Sequence, residues 1–103
     1  MNKVYVLVIE YYIYWDNEHT TKTEVFSDKQ SAMNYLQMLK PQSLNDICET
    51  TGYTIEELKQ YHDEGEYVWC FDINDDDYFH VEVDEYGYDR MYIVEKPIMT
   101  FNM

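Results

Sequence analysis

The stretch "YFHVEVDEYGYDRMYIVE", residues 78–95, decides how the chain folds. In its first half Phe79, Val81 and Val83 alternate with His80, Glu82 and Asp84, a period of two that sends successive side chains to opposite faces of a strand. "RMYIVE" (90–95) reads as a second strand, stopped by Pro97, and the Gly-containing segment between them as a turn. Upstream, "EYVWCFDI" (66–73) places Tyr67, Trp69, Phe71 and Ile73 on one face of a third strand. Three strands joined by short polar connections predict a three-stranded antiparallel meander.

Moving toward the N-terminus, the period changes. In "SDKQSAMNYLQMLKP" (27–41) Ala32, Tyr35, Leu36 and Leu39 fall at helical spacing. Ser27 with Gln30 reads as a capping box, and Lys40–Pro41 as the end of the helix. Ser43 then opens a short helix closed by Gly52, and Thr54 with Glu57 caps another that ends at Gly65. "KVYVLVIEYYIYW" (3–15) is apolar on both faces, as an interior strand covered on at least one side would be. A polar connection and "TKTEVF" (21–26) complete an N-terminal hairpin. The expected fold is therefore α+β: a β-hairpin, three short helices and a C-terminal three-stranded meander, in one domain spanning residues 1–103.

Charge narrows the function classes. The chain has 21 acidic and 7 basic residues, a net charge of -14. Residues 56–103 hold a net -11 of this, so the C-terminal half is the acidic object. Such a surface repels nucleic acid and anionic membrane and attracts basic surfaces over a Debye length of about 8 Å. With 17% aromatic residues and clear apolar periodicity, the chain is expected to fold rather than stay disordered. No basic run leads into an uninterrupted apolar stretch, which predicts a cytoplasmic protein. Cys48 and Cys70 have no paired spacing and read as free thiols.

Catalytic and metal-binding patterns are weak. "DINDDD" sets Asp72, Asn74 and Asp76 at the first, third and fifth positions of an EF-hand-like loop. The sixth position is Asp77 where a Gly is needed, and the twelfth is Val83 where a bidentate Glu is needed. His19, His62 and His80 stand apart without metal-ligand spacing, and the three glycines form no phosphate loop. We expect no enzyme and no cofactor. A divalent-metal or accessory-subunit role centred on Asp72–Asp77 is the minor alternative.

"LNDICETTGYTIEELKQYHDEG" (44–65) resembles the DNA-reading helix-turn-helix of MerR-type regulators through Ile47, Thr51, Gly52, Thr54, Leu58, Tyr61 and Gly65. The resemblance implies a transcriptional regulator that binds DNA with this helix pair. Against phosphates, however, the second helix offers Glu56 and Glu57 with Lys59 alone, so the segment reads as a packing pattern.

Residues 71–89 hold eight carboxylates, three tyrosines and no Lys or Arg. Side chains two apart on a strand lie about 6.6 Å from each other, comparable with phosphates along a nucleic-acid strand. We expect Asp75, Asp76, Asp77, Glu82, Asp84 and Glu85 to form a partner-binding row, extended toward Asp89, with Tyr78 and Tyr86 as aromatic anchors. In character the whole chain resembles small acidic phage and mobile-element proteins of the anti-CRISPR or nucleic-acid-mimic type. That resemblance implies a stoichiometric inhibitor that occupies the nucleic-acid groove of a nuclease or another nucleic-acid-binding host protein.

Overall fold

The structure is a computed structural model that describes residues 3–98, which include every charged side chain. The ends of the expected 1–103 domain lie outside the described residues. Strands β1 (Lys3–Ile13) and β2 (Glu18–Phe26) form the N-terminal hairpin. Helices α1 (Lys29–Thr51) and α2 (Ile55–Glu64) follow. Strands β3 (Val68–Asp72), β4 (Tyr78–Val83) and β5 (Gly87–Pro97) complete the order. All five strands join one antiparallel sheet in the order β2-β1-β5-β4-β3. The class is α+β as expected, but β3, β4 and β5 are not a free-standing meander, because β5 pairs along its whole length with β1.

Two helices stand where three were expected. α1 runs through Pro41 for 23 residues, fusing the first two expected helices. Its inward positions keep their period across the proline: Ala32, Leu36, Lys40 and Ile47 are all buried. That packing outweighs the roughly 3 kcal/mol cost of an interior proline. Pro41 and Gln37 both lie on the exposed side of the helix, where water can satisfy a carbonyl that loses its intrahelical donor. The N-cap is also one residue later than expected, since Asp28 accepts from the Ser31 backbone N–H at 2.7 Å. For α2 the expectation holds: Thr54 and Glu57 form the reciprocal capping box and Gly65 the left-handed cap.

Both helices cover one face of the sheet, α1 across β1, β5 and β2, and α2 beside β3. The core between them holds Leu7, Phe79, Val81, Val83 and Met91 from the sheet, with Leu36, Ile47 and Leu58 from the helices. The inward alternation of Phe79, Val81 and Val83 is as expected. On β3 the expected phase fails. A bulge between Val68 and Cys70 shifts the register, so Val68 is buried while Tyr67 and Trp69 are about half exposed. Tyr67 takes φ +61, the left-handed backbone that starts this shift.

Gly87 fixes how β5 meets β1. A Cβ there would come within 1.7 Å of the Tyr12 carbonyl oxygen, and φ is +133. Only glycine permits both, and the close approach lets Val83 pair with Gly87 across a three-residue turn.

Candidate binding surface

The eight expected site residues do not form one row. β4 separates them into two groups, at ends about 20 Å apart by strand rise. Asp75, Asp76 and Asp77 lie in the connection before β4, which α1 pins from beneath. Lys40 Nζ donates to the carbonyl oxygens of Ile73, at 2.9 Å, and Asp75. Gln37 Nε2 donates to the carbonyls of Asp75 and Asp76, and Lys29 pairs with Asp77 at 3.7 Å. Lys40 is only 7% exposed, and burial pushes its ammonium pKa down while Asp76, Asp75 and Asp77 pull it back up. The loop that resembles a cation site thus surrounds a cation from its own chain. Among the described residues no three His, Cys, Asp or Glu side chains gather as a metal cluster.

The second group sits at the opposite end, where three connections are bonded together. Asp84 and Glu85 form the β4–β5 turn, with Glu85 at φ +64. The Asp84 N–H donates to the Tyr67 carbonyl at 2.6 Å, tying the turn to the α2–β3 connection. The Tyr14 N–H donates to the Tyr86 carbonyl at 2.8 Å, tying it to the β1–β2 loop. Tyr14, Trp15 and Tyr67 are exposed here, Trp15 at 65%, and Trp69 follows on the edge strand. Asp84, Glu85, Asp16 and Glu66 make no ion pair among the described residues.

Tyr86 is not the expected exposed anchor. It is 7% exposed within the core, where its phenol donates to Asp89 Oδ1 at 3.1 Å. Asp89 likewise leaves the expected row, because it pairs with Val81 and Tyr11 on the helix-covered face. There Ser43 Oγ donates to its other oxygen. Burial raises the Asp89 pKa, opposed by the Ser43 and Tyr86 hydrogen bonds. The three-residue turn keeps odd positions on the helix-covered face from β4 into β5, so Asp89 follows Val81 and Val83 inward, and Tyr86, within the turn itself, folds back into the core.

Tyr78 and Glu82 lie on the sheet face that neither helix covers. One cross-strand row there runs Thr21, Glu10, Arg90, His80 and Asp72, and the next runs His19, Tyr12, Tyr88, Glu82 and Cys70. Arg90 pairs with Glu10 at 2.8 Å and lies over the Tyr92 ring, whose phenol also donates to Glu10. Tyr14 OH donates to Glu82 at 3.0 Å, and burial, then this bond, raise its pKa to about 12. Tyr12 and Tyr88 stack with planes 8° apart. Burial lowers the His80 pKa against the pull of Glu82, which favours a neutral ring facing the Tyr78 phenol at 3.3 Å. Burial first, then Asp72, raises the Cys70 thiol to about 11, and both cysteines are free.

From this face the sequence reading singled out Tyr78, Tyr88 and Glu82 for partner contact, with His80 as an outward residue and Asp72 as a candidate cation ligand. Its missed members, Glu10, Tyr12, Arg90 and Tyr92, share even numbering on β1 and β5, a period-two signal once the two strands are known to pair. The helix-turn-helix expectation finds no cationic surface: Leu58 is buried, Tyr61 packs between Tyr53 and Tyr67, and Glu56 and Glu57 stand in the first turn of α2. No helix among the described residues is long and apolar enough to cross a membrane. No family model, curated protein or solved structure matches this chain.

Proposed function

We propose that the protein is an acidic binding module that acts without catalysis in the cytoplasm, as a stoichiometric inhibitor that occupies the cationic nucleic-acid groove of a host protein such as a nuclease. The observation that carries this reading is the end of the molecule where the Asp84–Glu85 turn is hydrogen-bonded to the Tyr14 and Tyr67 segments. Carboxylates without basic partners alternate there with exposed aromatic rings, on backbone already held in place. Arg-rich grooves are recognised by that combination, through charge-assisted hydrogen bonds and ring stacking. Because the turn is fixed before contact, little ordering entropy is lost on binding.

Charge density supports the same reading. The molecule measures 55 × 27 × 21 Å with a net charge of -14, about one negative charge per 4 Å of length. A single nucleic-acid strand carries one per roughly 3.4 Å of axis. Of the seven basic side chains, Lys3, Lys29 and Arg90 are paired with acids and Lys40 is buried under the 75–77 loop, which leaves Lys22, Lys59 and Lys96 exposed against 21 acids. The Asp75–Asp77 end is the less suited contact, since Lys29 and Lys40 already offset it.

The experiment is capture of binding proteins from host extract on the immobilised chain, followed by elution with a short oligonucleotide. The expected result is a nucleic-acid-binding protein released by the oligonucleotide at constant ionic strength. Release by salt alone, or direct binding of the oligonucleotide to the chain, would overturn the proposal.

A further inference from the structure

On the helix-covered side, α1 does not close fully over the sheet. A cleft of about 500 Å³ remains between α1 and strands β1, β2 and β5. Ile9, Leu39, Met91 and the Tyr35 ring give it an apolar wall. Asp89 and Asp46 stand at one end, beside Ser43 and Tyr86. This volume falls within the range of small-molecule sites, and an apolar wall with a few convergent polar groups is their usual composition.

Two cations line the cleft, Arg90 and Lys22, but Arg90 is engaged with Glu10 at 2.8 Å. Neither Asp46 nor Asp89 makes an ion pair among the described residues. Lys22 of β2, on the opposite rim, is aligned with Ile9 of β1, and so starts two strands and two residues, about 12 Å, away from Asp89. Each Asp89 oxygen accepts one hydrogen bond, from Ser43 and from Tyr86, which leaves one lone pair on each. A carboxylate that keeps acceptor capacity on both oxygens can take the fork of a guanidinium, and an alkyl stem would lie along the apolar wall.

We propose that this cleft binds an alkyl guanidinium, its head on Asp89 with Asp46 alongside and its chain against Ile9, Leu39 and Met91. The cleft opens on the other face of the sheet from the Tyr14–Glu82 contact, so the proposal stands or falls separately from the acidic-module reading. A bound guanidinium would also relieve the repulsion between Asp46 and Asp89 that, with burial, raises the Asp89 pKa.

The test is an amide-resolved NMR titration of the full chain with agmatine and, separately, with acetyl-Gly-Arg-Gly-amide. The citrulline tripeptide serves as the uncharged control. Saturable shifts centred on Ser43, Asp46 and Asp89 are expected, with no response to citrulline. Asp89→Asn should weaken binding by about tenfold or more, the usual loss for a charge-assisted pair. Asp46→Asn, on the exposed helix surface, should weaken it by a smaller factor of about two to five. If Asp89→Asn fails to fold, the Asp46→Asn and citrulline arms decide. Binding of both guanidinium probes assigns a free small cation, and binding of the tripeptide alone assigns an arginine within a chain. Unsaturable shifts, equal binding of the citrulline control, or an unchanged affinity in Asp46→Asn with shifts centred elsewhere would overturn it.

Discussion

Lys40 Nζ lies 2.9 Å from the carbonyl oxygen of Ile73, beneath the most acidic loop of the chain. An ammonium from helix α1 thus supplies positive charge to the backbone of this loop from within the chain. The arrangement explains how three consecutive aspartates are held in a fixed turn: the Ile73 and Asp75 carbonyls take the ammonium, Gln37 holds the Asp75 and Asp76 carbonyls, and Lys29 pairs with the Asp77 carboxylate.

Replacing this lysine tests the point. Lys40→Met keeps the buried stem and removes the charge, leaving the Ile73 carbonyl without its donor and the Asp75 carbonyl with Gln37 alone. Stability should fall by about 1–3 kcal/mol, measured by urea denaturation. The wild-type protein should show no EDTA-reversible rise in melting temperature with millimolar Ca²⁺. A variant as stable as the wild type, or a clear Ca²⁺ shift, would argue against an internal cation.

Pro41 interrupts α1 on its exposed side without ending it. Pro41→Ala restores an N–H for the Gln37 carbonyl and removes the ring clash, so it should stabilise the protein by about 1–3 kcal/mol. The urea midpoint should rise with little change in slope. An unchanged or lowered midpoint would mean that the helix has already relaxed around the ring.

Gly87→Ala should be the most damaging single methyl in the chain. The added Cβ meets the Tyr12 carbonyl at 1.7 Å in a backbone conformation with φ +133, so β1 and β5 must separate at that point. A loss of several kcal/mol or failure to fold is expected by circular dichroism. Retention of wild-type stability would show that the two strands do not approach so closely.

His80 links the open face to pH. Burial lowers its folded pKa below the ordinary value of about 6.5, so the unfolded chain takes up the proton first as pH falls. The stability that His80 contributes is complete above about pH 6.5 and declines as pH drops toward the folded pKa. His80→Gln should make the stability profile shallower between pH 7 and 5. In the wild type the imidazole should titrate below 6.5 by NMR. Titration above 6.5 would show that Glu82 outweighs burial.

Much of this fold was legible from period alone. The core residues Phe79, Val81 and Val83 announce themselves by alternation, and Thr54 with Glu57 marks the start of α2 by side-chain chemistry. What failed was local punctuation that long-range packing overrode. Pro41 is a helix stop by propensity, yet the buried sequence from Ala32 to Ile47 carries the helix past it. The β3 bulge adds a residue that turns Trp69 outward, and Tyr86 is buried because it lies inside the β4–β5 turn, where strand alternation does not apply. The acidic site was legible as composition but not as geometry. Charge spacing along the chain cannot reveal that β4 divides Asp75–Asp77 from Asp84–Glu85, nor that Glu10 and Arg90 meet across 80 positions.

The most direct test of the acidic contact compares two triple variants of equal charge. Glu82→Gln, Asp84→Asn and Glu85→Gln together neutralise the end that carries Tyr14 and Tyr67, while Glu49→Gln, Glu56→Gln and Asp63→Asn remove the same charge from the helical surface. Binding of each to the captured partner is measured by calorimetry over a series of salt concentrations. Single exposed pairs contribute only about 0–1 kcal/mol, but a desolvated set couples by roughly 1.5–7 kcal/mol per close pair. The first variant should therefore lose affinity by more than tenfold with a flattened salt dependence, and the second should stay close to wild type. Equal losses in both, or the greater loss in the helical variant, would contradict the assignment of the Asp84–Glu85 end as the contact surface.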